Sequence, residues 1–260
     1  MNISLSLPIL AQNGGMSPVA ISVIMVCAAI LSGYLIGAIP HGVLIGKVFF
    51  GKDPRDYYSH NSGGTNTGRV LGKKIGFLVI LLDMIKTIIP IYTFWALTTF
   101  IPEIKSALQW GWYDARPLVY WGSGMMAAIG HCWPIYIKFR GGKAVAAFMG
   151  FNTMICWVEF FLAGFSYLGV LKKTKIVSVS SITAAIVGSI VAWTIAIISV
   201  SLNWNPHWLT FMFGFEDAIY LGIEFAVVDT IVGILLVARH HSNIARLRAG
   251  TENKVGEIRQ

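Results

Sequence analysis

The stretch Ala144–Leu171, "AVAAFMGFNTMICWVEFFLAGFSYLGVL", decides how the chain is threaded. It is long enough for one membrane-spanning helix, which needs roughly 20 apolar residues. The acid at Glu159 also permits two short helices that turn near that residue. Read as one span, the stretch gives six crossings and places "KKTK" (Lys172–Lys175) and the basic C-terminal tail outside. Read as a hairpin, it gives seven and places both inside.

Basic residues favour the cytosolic side of a membrane, and they decide for the hairpin. In the seven-span reading every Lys and Arg lies on the inner side except Lys86, within a span, and Lys105 and Arg116, outside. The other spans are Val19–Phe50 (embedded in part), Ile75–Leu97, Leu118–Ile137, Ile182–Leu202 and Ala218–Ala238. The expected fold is thus an all-α polytopic membrane protein. It has seven transmembrane helices, two of them short, with the N-terminus outside and the C-terminus cytosolic.

Composition agrees. Of 260 residues, 55% are hydrophobic and 12% charged, whereas soluble domains are about a quarter charged. The net charge of +8 belongs to clusters flanking apolar segments, so it marks topology and not a nucleic-acid partner. Cys27, Cys132 and Cys156 show no paired spacing and read as small core residues. The opening "MNISLSLPILAQNGG" lacks the basic start of a signal peptide, so residues 1–18 read as an exported tail. No repeat or linker divides the chain, which is expected to be one domain over 1–260 with a cytosolic tail at 239–260.

Four polar islands interrupt the apolar sequence: "SHNSGGTNTGR" (Ser59–Arg69), "KFRGGKA" (Lys138–Ala144), "KIVSVSS" (Lys175–Ser181) and "RHHSNIARLRAGTENK" (Arg239–Lys254). Threaded as a seven-span protein, the chain brings all four to the cytosolic ends of helices. Glycines allow close backbone approach, helix starts offer free N–H groups at a positive dipole end, and Arg and Lys add charge. The ligand such a set fits is a phosphate. Each island alone has a plainer reading as a turn, a helix cap or an interfacial helix; four on one side of the membrane are harder to explain that way. In the tail, His240, Asn243 and Arg246 recur every third residue and share a helix face. Asp83 and Lys86 are spaced to form an ion pair within a span, His41 reads as a satisfied core or interface histidine, and Glu224 and Asp229 have no evident partner.

These islands resemble the motifs of the bacterial integral-membrane acyl-phosphate:glycerol-3-phosphate acyltransferases, the PlsY family, over Ser32 to Lys254. "YSHNSGGTNTGR" is similar to the family's first motif at Ser59, Asn61, Gly63, Thr65, Asn66 and Arg69, while Tyr58 and His60 stand where the family has glycine. "GHCWPIYIKFRGGKA" resembles the second at Gly130, His131, Pro134, Phe139, Gly141, Gly142 and Lys143, with Arg140 and Ala144 departing from it. Val177, Ser178 and Ser181 match a third stretch. Arg239, His240, Asn243, Ile244, Arg246, Leu247, Gly250 and Glu252 match the tail motif.

The resemblance implies transfer of an acyl group from acyl phosphate to the 1-hydroxyl of glycerol 3-phosphate, giving 1-acyl-glycerol 3-phosphate and phosphate, the first acylation of phospholipid synthesis. It implies a bacterial plasma-membrane enzyme with its site facing the cytosol, no cofactor and no metal. Its expected partners are the two substrates, membrane lipid and the soluble enzyme that makes acyl phosphate. The expected phosphate-binding residues are Asn61, Gly63, Thr65, Asn66 and Arg69 on one side and Arg140, Gly141, Gly142 and Lys143 on the other. Ser59, Lys143, Ser178, His240 and Asn243 are the expected catalytic set, with Arg246 and Glu252 supporting. A transporter of a phosphorylated metabolite is the alternative, but it would call for an internal repeat and midplane polar residues. Sugar-phosphate transfer would call for carboxylates holding Mg²⁺, and the islands hold few.

Overall fold

The computed structural model describes residues 16–153, 156–204, 207–210 and 219–256. The exported tail expected at 1–18 therefore lies almost wholly outside the described residues, as does the start of the last expected span at Ala218.

The chain is built from helices, and each break has a local cause. Helix α1 (Pro18–Gly37) starts on Ser17, whose Oγ accepts the Ala20 N–H at 3.2 Å. It ends before Pro40, because a residue preceding proline avoids the helical region. Helix α2 (His41–Phe50) stops at Gly51, φ 62°. Helix α3 (Gly64–Leu71) and the long α4 (Lys73–Phe100) are separated by Gly72 alone. Then follow α5 (Pro102–Ala107), a two-stranded hairpin of β1 (Gln109–Trp110) and β2 (Tyr113–Asp114), and α6 (Arg116–Cys132). The remainder is α7 (Val145–Thr153), α8 (Trp157–Thr174), α9 (Val177–Ser201), α10 (Ile223–Arg239) and α11 (His241–Arg248).

Among the described residues, three stretches, Pro18–Phe50, Lys73–Phe100 and Val177–Ser201, are long and apolar enough to cross a membrane by themselves. The first of them is broken at Ile39–Pro40 into α1 and α2.

The stretch Ala144–Leu171 is two helices. The break lies ahead of Trp157, near Glu159 as expected, and Glu159 itself sits inside the first turn of α8. Among the described residues α7 has 9 residues and α8 has 18. Both ends of the pair lie at the same end of the bundle. Lys143, just before α7, donates to Asn243 Oδ1, while Lys175, just after α8, accepts the Val255 N–H from the same tail. A single crossing would have put these lysines a membrane apart.

Packing follows side-chain size. A Cβ on Gly33 or Gly37 would overlap the carbonyls of Ser123 or Ala127, so these glycines let α1 lie against α6. Without a hydrophobic drive in lipid, such small-residue contacts are what bring helices together. Trp121, Phe151 and Phe225, all buried, join α6, α7 and α10 with ring centroids 5.1–5.7 Å apart.

Tyr58, His60 and Ala144, at the positions where glycine was expected from the motifs, adopt φ of 49°, 52° and 61°. The backbone has kept the left-handed geometry although the residue has changed. That conformation costs an L-residue about 1–2 kcal/mol, partly offset because a glycine would lose roughly 0.4–1 kcal/mol more chain entropy on folding. Tyr58 is half exposed, so little packing opposes relief. Tyr58→Gly should therefore raise the melting temperature of the detergent-solubilised protein by about 2 °C; a fall would show that the tyrosine makes contacts worth more than the strain.

Candidate active site

The islands close around a cavity of about 290 Å³. Ser59, Asn61, Gly63, Thr65, Asn66 and Arg69 line one wall, Lys143, Ser178, His240, Asn243, Arg246 and Glu252 the other. Three helices begin at this cavity. Gly64 and Thr65 open α3, Val145 and Ala146 open α7, and Val177 and Ser178 open α9; all six residues line it. None of α3 or α9 has a side-chain cap, so their first N–H groups remain available to an anion.

The second wall is a chain of hydrogen bonds. Lys143 Nζ donates to Asn243 Oδ1 at 2.6 Å, and Asn243 Nδ2 donates to Glu252 Oε1 at 2.6 Å. Ser178 Oγ donates to the same Oε1 at 2.9 Å, and Arg246 Nε to Oε2 at 2.7 Å. Burial alone would raise the Glu252 carboxyl, but the donors Asn243, Arg246 and Ser178 overrule it and hold the group below its usual range. His240 is buried, and its Nδ1–H can donate to the Leu236 carbonyl at 2.8 Å, which leaves the Nε2 lone pair free. His241 is exposed, so the two neighbours point apart.

The first wall is stabilised differently. Asn66 spends its amide inside its own loop: Nδ2 donates to the carbonyls of Pro54 at 2.7 Å and Asn61 at 2.9 Å, and Oδ1 accepts from Ser59 Oγ at 2.9 Å. Asn61 Oδ1 takes the Gly63 N–H at 2.8 Å. What faces the cavity free of protein partners is Arg69, which makes no hydrogen bond or ion pair among the described residues, together with the backbone N–H groups opening α3.

Three expected phosphate ligands do not line the cavity. Arg140 is exposed and faces a neighbouring cleft with Arg55, Asp56 and His60. Gly142 donates its N–H to the His131 carbonyl at 2.9 Å, and the Gly142 and Gly141 carbonyls accept from Arg239 at 3.1 and 3.4 Å. A Cβ on Gly142 would run into the His131 ring. These glycines let the chain pass that ring and carry Lys143 into the site.

The cavity floor holds residues not assigned to the site from the motifs. Asp83 and His131 both line it. Asp83 Oδ1 takes Lys86 Nζ at 2.8 Å and His41 Nδ1 at 3.0 Å, and Oδ2 lies 3.8 Å from His131 Nδ1. Lys86 also donates to the Ile39 carbonyl at 2.7 Å, where α1 breaks. The ion pair was legible from spacing; its place beneath the site was not, although an ionisable residue within a span is itself a signal of function. Phe77, Ile80, Met149, Tyr167 and Val177 complete the lining with an apolar side.

Residues 27–250 match the family described as glycerol-3-phosphate acyltransferase. The chain is 35% identical over 237 residues to the glycerol-3-phosphate acyltransferase of Staphylococcus haemolyticus, covering 89% of this chain and 98% of that protein. It is 35% identical over 226 residues to that of Macrococcus caseolyticus, covering 87% and 95%. The chain belongs to the glycerol-3-phosphate acyltransferase family. Among solved structures it is similar to PlsY, an integral-membrane glycerol 3-phosphate acyltransferase. The match to the glycerol 3-phosphate form has a TM-score of 0.69 at 27% identity over 89% of this chain and 96% of that one. The lysophosphatidic acid form of the same enzyme matches with a TM-score of 0.66 at 25% identity, over 88% and 94%.

This acyltransferase is therefore an integral-membrane protein, and the charge state of its cavity bears on its activity. Burial, then the nearby Arg246 and, further down, Arg69 push Lys143 down to about 8, against the opposing pull of Glu252. Lys143 is protonated below that value and loses its charge as pH rises through it. The kcat/KM profile, which reports the free enzyme, should fall above about pH 8. In Lys143→Arg, whose side chain stays charged, that limb should vanish at whatever residual activity remains. A limb unchanged in the variant would assign it to another group.

Proposed function

We propose that this acyltransferase moves an acyl group from acyl phosphate to the 1-hydroxyl of glycerol 3-phosphate. The observation that carries the proposal is a cavity with three helix N-termini, Arg69, Lys143 and Arg246 around it. Both substrates present a phosphate, and the cavity has two anion-accepting walls. One is Arg69 with the α3 N–H groups opened by Gly63, Gly64 and Thr65, on a loop clamped by Asn61 and Asn66. The other is Lys143 with the α7 start and Arg246. The relatives' name and the PlsY form with glycerol 3-phosphate support the acceptor.

In the step itself the hydroxyl oxygen forms a bond to the acyl carbonyl carbon, the bond from that carbon to the phosphate oxygen breaks, and the hydroxyl proton leaves with the phosphate. A mixed anhydride is already activated, so positioning and electrostatic stabilisation suffice. Ser59, Ser178, His240 and Asn243 orient the reacting groups, and Glu252 holds Asn243, Ser178 and Arg246 in place. Burial lowers His240 to about 4. It is neutral at pH 7 and accepts a hydrogen bond, but a phosphate oxygen ionising near pH 6 is the stronger base. The apolar side of the cavity continues into an open cleft of about 1240 Å³ past Phe77, Ile80 and Val177, room for an acyl chain entering from lipid.

The same reading gives the chain one transmembrane domain over residues 1–260, seven crossings, an exported N-terminus and a cytosolic site in a bacterial plasma membrane. It makes 1-acyl-glycerol 3-phosphate for phospholipid synthesis, with no cofactor, from a donor supplied by a soluble enzyme. A cysteine placed at Lys173, in a background lacking native thiols, should resist an impermeant thiol reagent in intact cells; rapid labelling would reverse the orientation.

The reaction is tested with purified protein, glycerol 3-phosphate and either palmitoyl phosphate or palmitoyl-CoA. Phosphate release and lysophosphatidate formation are expected with the first donor only. A charge-assisted hydrogen bond contributes roughly 1.5–3 kcal/mol, so Arg69→Ala and Lys143→Ala should each lower kcat/KM at least tenfold while remaining folded. Preference for the thioester donor, or near-normal activity in both variants, would sink the proposal.

A further inference from the structure

A separate polar cleft of about 340 Å³ is lined by Arg55, Asp56, His60 and Arg140 and shares no residue with the catalytic cavity. It is built from the two loops that carry the walls of the site. His60 stands between Ser59 and Asn61, and Arg140 lies three residues before Lys143. Both are positions at which this chain departs from the motifs it resembles, and the catalytic reading gives neither side chain a task.

Arg55 is already committed. Its Nε and Nη2 donate to the Asp53 carboxylate at 2.7–3.2 Å, and its Nη1 donates to the Ile137 carbonyl at 3.2 Å. That leaves one uncompensated charge of each sign. Arg140 and Asp56 are exposed and face the same cleft, yet neither side chain makes a hydrogen bond or ion pair among the described residues. His60 adds an acceptor. A carbonyl can only accept, so the 3.0 Å contact with the Arg55 carbonyl puts a hydrogen on Nδ1 and leaves the Nε2 lone pair of the neutral ring open.

The cleft adjoins a surface suited to lipid. Trp133, Ile135, Tyr136 and Phe139, which lead up to Arg140, are exposed, and Trp and Tyr so placed mark the membrane–water interface. The bond from Arg55 to Ile137 ties this belt to the other loop of the cleft. A simple anion here would meet Arg140 but be repelled by Asp56, and a simple cation would meet the reverse. A headgroup that carries both charges satisfies both.

We propose that this cleft binds the headgroup of a membrane phospholipid bearing a primary ammonium, phosphatidylethanolamine being the simplest. The phosphate oxygens accept from the Arg140 guanidinium, and the ammonium donates to the Asp56 carboxylate and to His60 Nε2. Basic pockets at membrane interfaces hold lipid headgroups; the acid is what selects this class. One bound lipid bridges the loop of Ser59 and Asn61 to the loop of Lys143 and braces both walls of the site from outside. The site stands whether or not the acyl donor proposed above is right.

The test is native mass spectrometry of the delipidated protein, titrated separately with phosphatidylethanolamine, phosphatidylcholine and phosphatidylglycerol of the same acyl chains. Phosphatidylcholine carries the same two charges without an ammonium N–H, and phosphatidylglycerol carries the phosphate alone. The first phosphatidylethanolamine should bind about fivefold tighter than either, the upper end for exposed ion pairs. Arg140→Gln should weaken phosphatidylethanolamine and phosphatidylglycerol alike. Asp56→Asn should erase the preference between those two, and Arg248→Gln, at an exposed arginine outside the cleft, should leave it intact. Should a cleft variant not fold, the wild-type preference over phosphatidylcholine decides alone. Equal binding of the three lipids, or a preference that survives both cleft variants, would overturn the site. Soluble O-phosphoethanolamine at equal concentration should not displace the lipid; displacement would make the ligand a soluble metabolite and overturn the lipid assignment.

Discussion

The Lys143–Asn243–Glu252 chain of hydrogen bonds is the contact on which the site depends. It joins the loop before α7, the helix α11 and the C-terminal tail, and through Ser178 it reaches the start of α9. No local rule of the sequence brings these four segments together. Lys143 is a largely buried cation, and a buried charge without partners is expensive. Asn243 meets that cost with its oxygen while its nitrogen satisfies Glu252, so one amide links a cation to an anion without neutralising either. The cation stays available to a phosphate, and the tail is held where His240 and Arg246 reach the cavity.

The backbone serves the same end. Three helices start at one cavity, so their partial positive charges add to those of Arg69, Lys143 and Arg246. Bringing three helix starts so close demands tight loops, and those loops contain the left-handed residues Tyr58, His60 and Ala144. Beneath them Asp83 ties α4 to His41 and, through Lys86, to the carbonyl of Ile39, while His131 receives the Gly142 N–H. The strained loops thus rest on a paired, buried floor.

Much of this was legible in the sequence. The hairpin within Ala144–Leu171 followed from where the lysines fall, because charge cost at a membrane is a one-dimensional signal. The shared face of His240 and Asn243 followed from helical period. What was not legible depends on three-dimensional contact. Asn66 resembles a phosphate ligand in a motif, yet its amide is consumed by its own loop. Arg140 sits next to two motif glycines, but the turn at Lys138 and Phe139, both at positive φ, sends it to another cleft. The turn expected near Glu159 falls just ahead of Trp157, but the burial of Glu159 was not legible, because it depends on Asp229 meeting it from another helix.

The most direct measurement is steady-state kinetics of Asn243→Asp, which keeps the acceptor facing Lys143 but replaces the donor facing Glu252 with a like charge. If the amide link assembles the site, kcat/KM should fall at least tenfold, as loss of a charge-assisted hydrogen bond requires, and the limb near pH 8 should move upward because Lys143 gains an anionic neighbour. The melting temperature should change by no more than a few degrees. Wild-type kcat/KM with an unmoved limb would contradict the link and return the tail to a merely topological role.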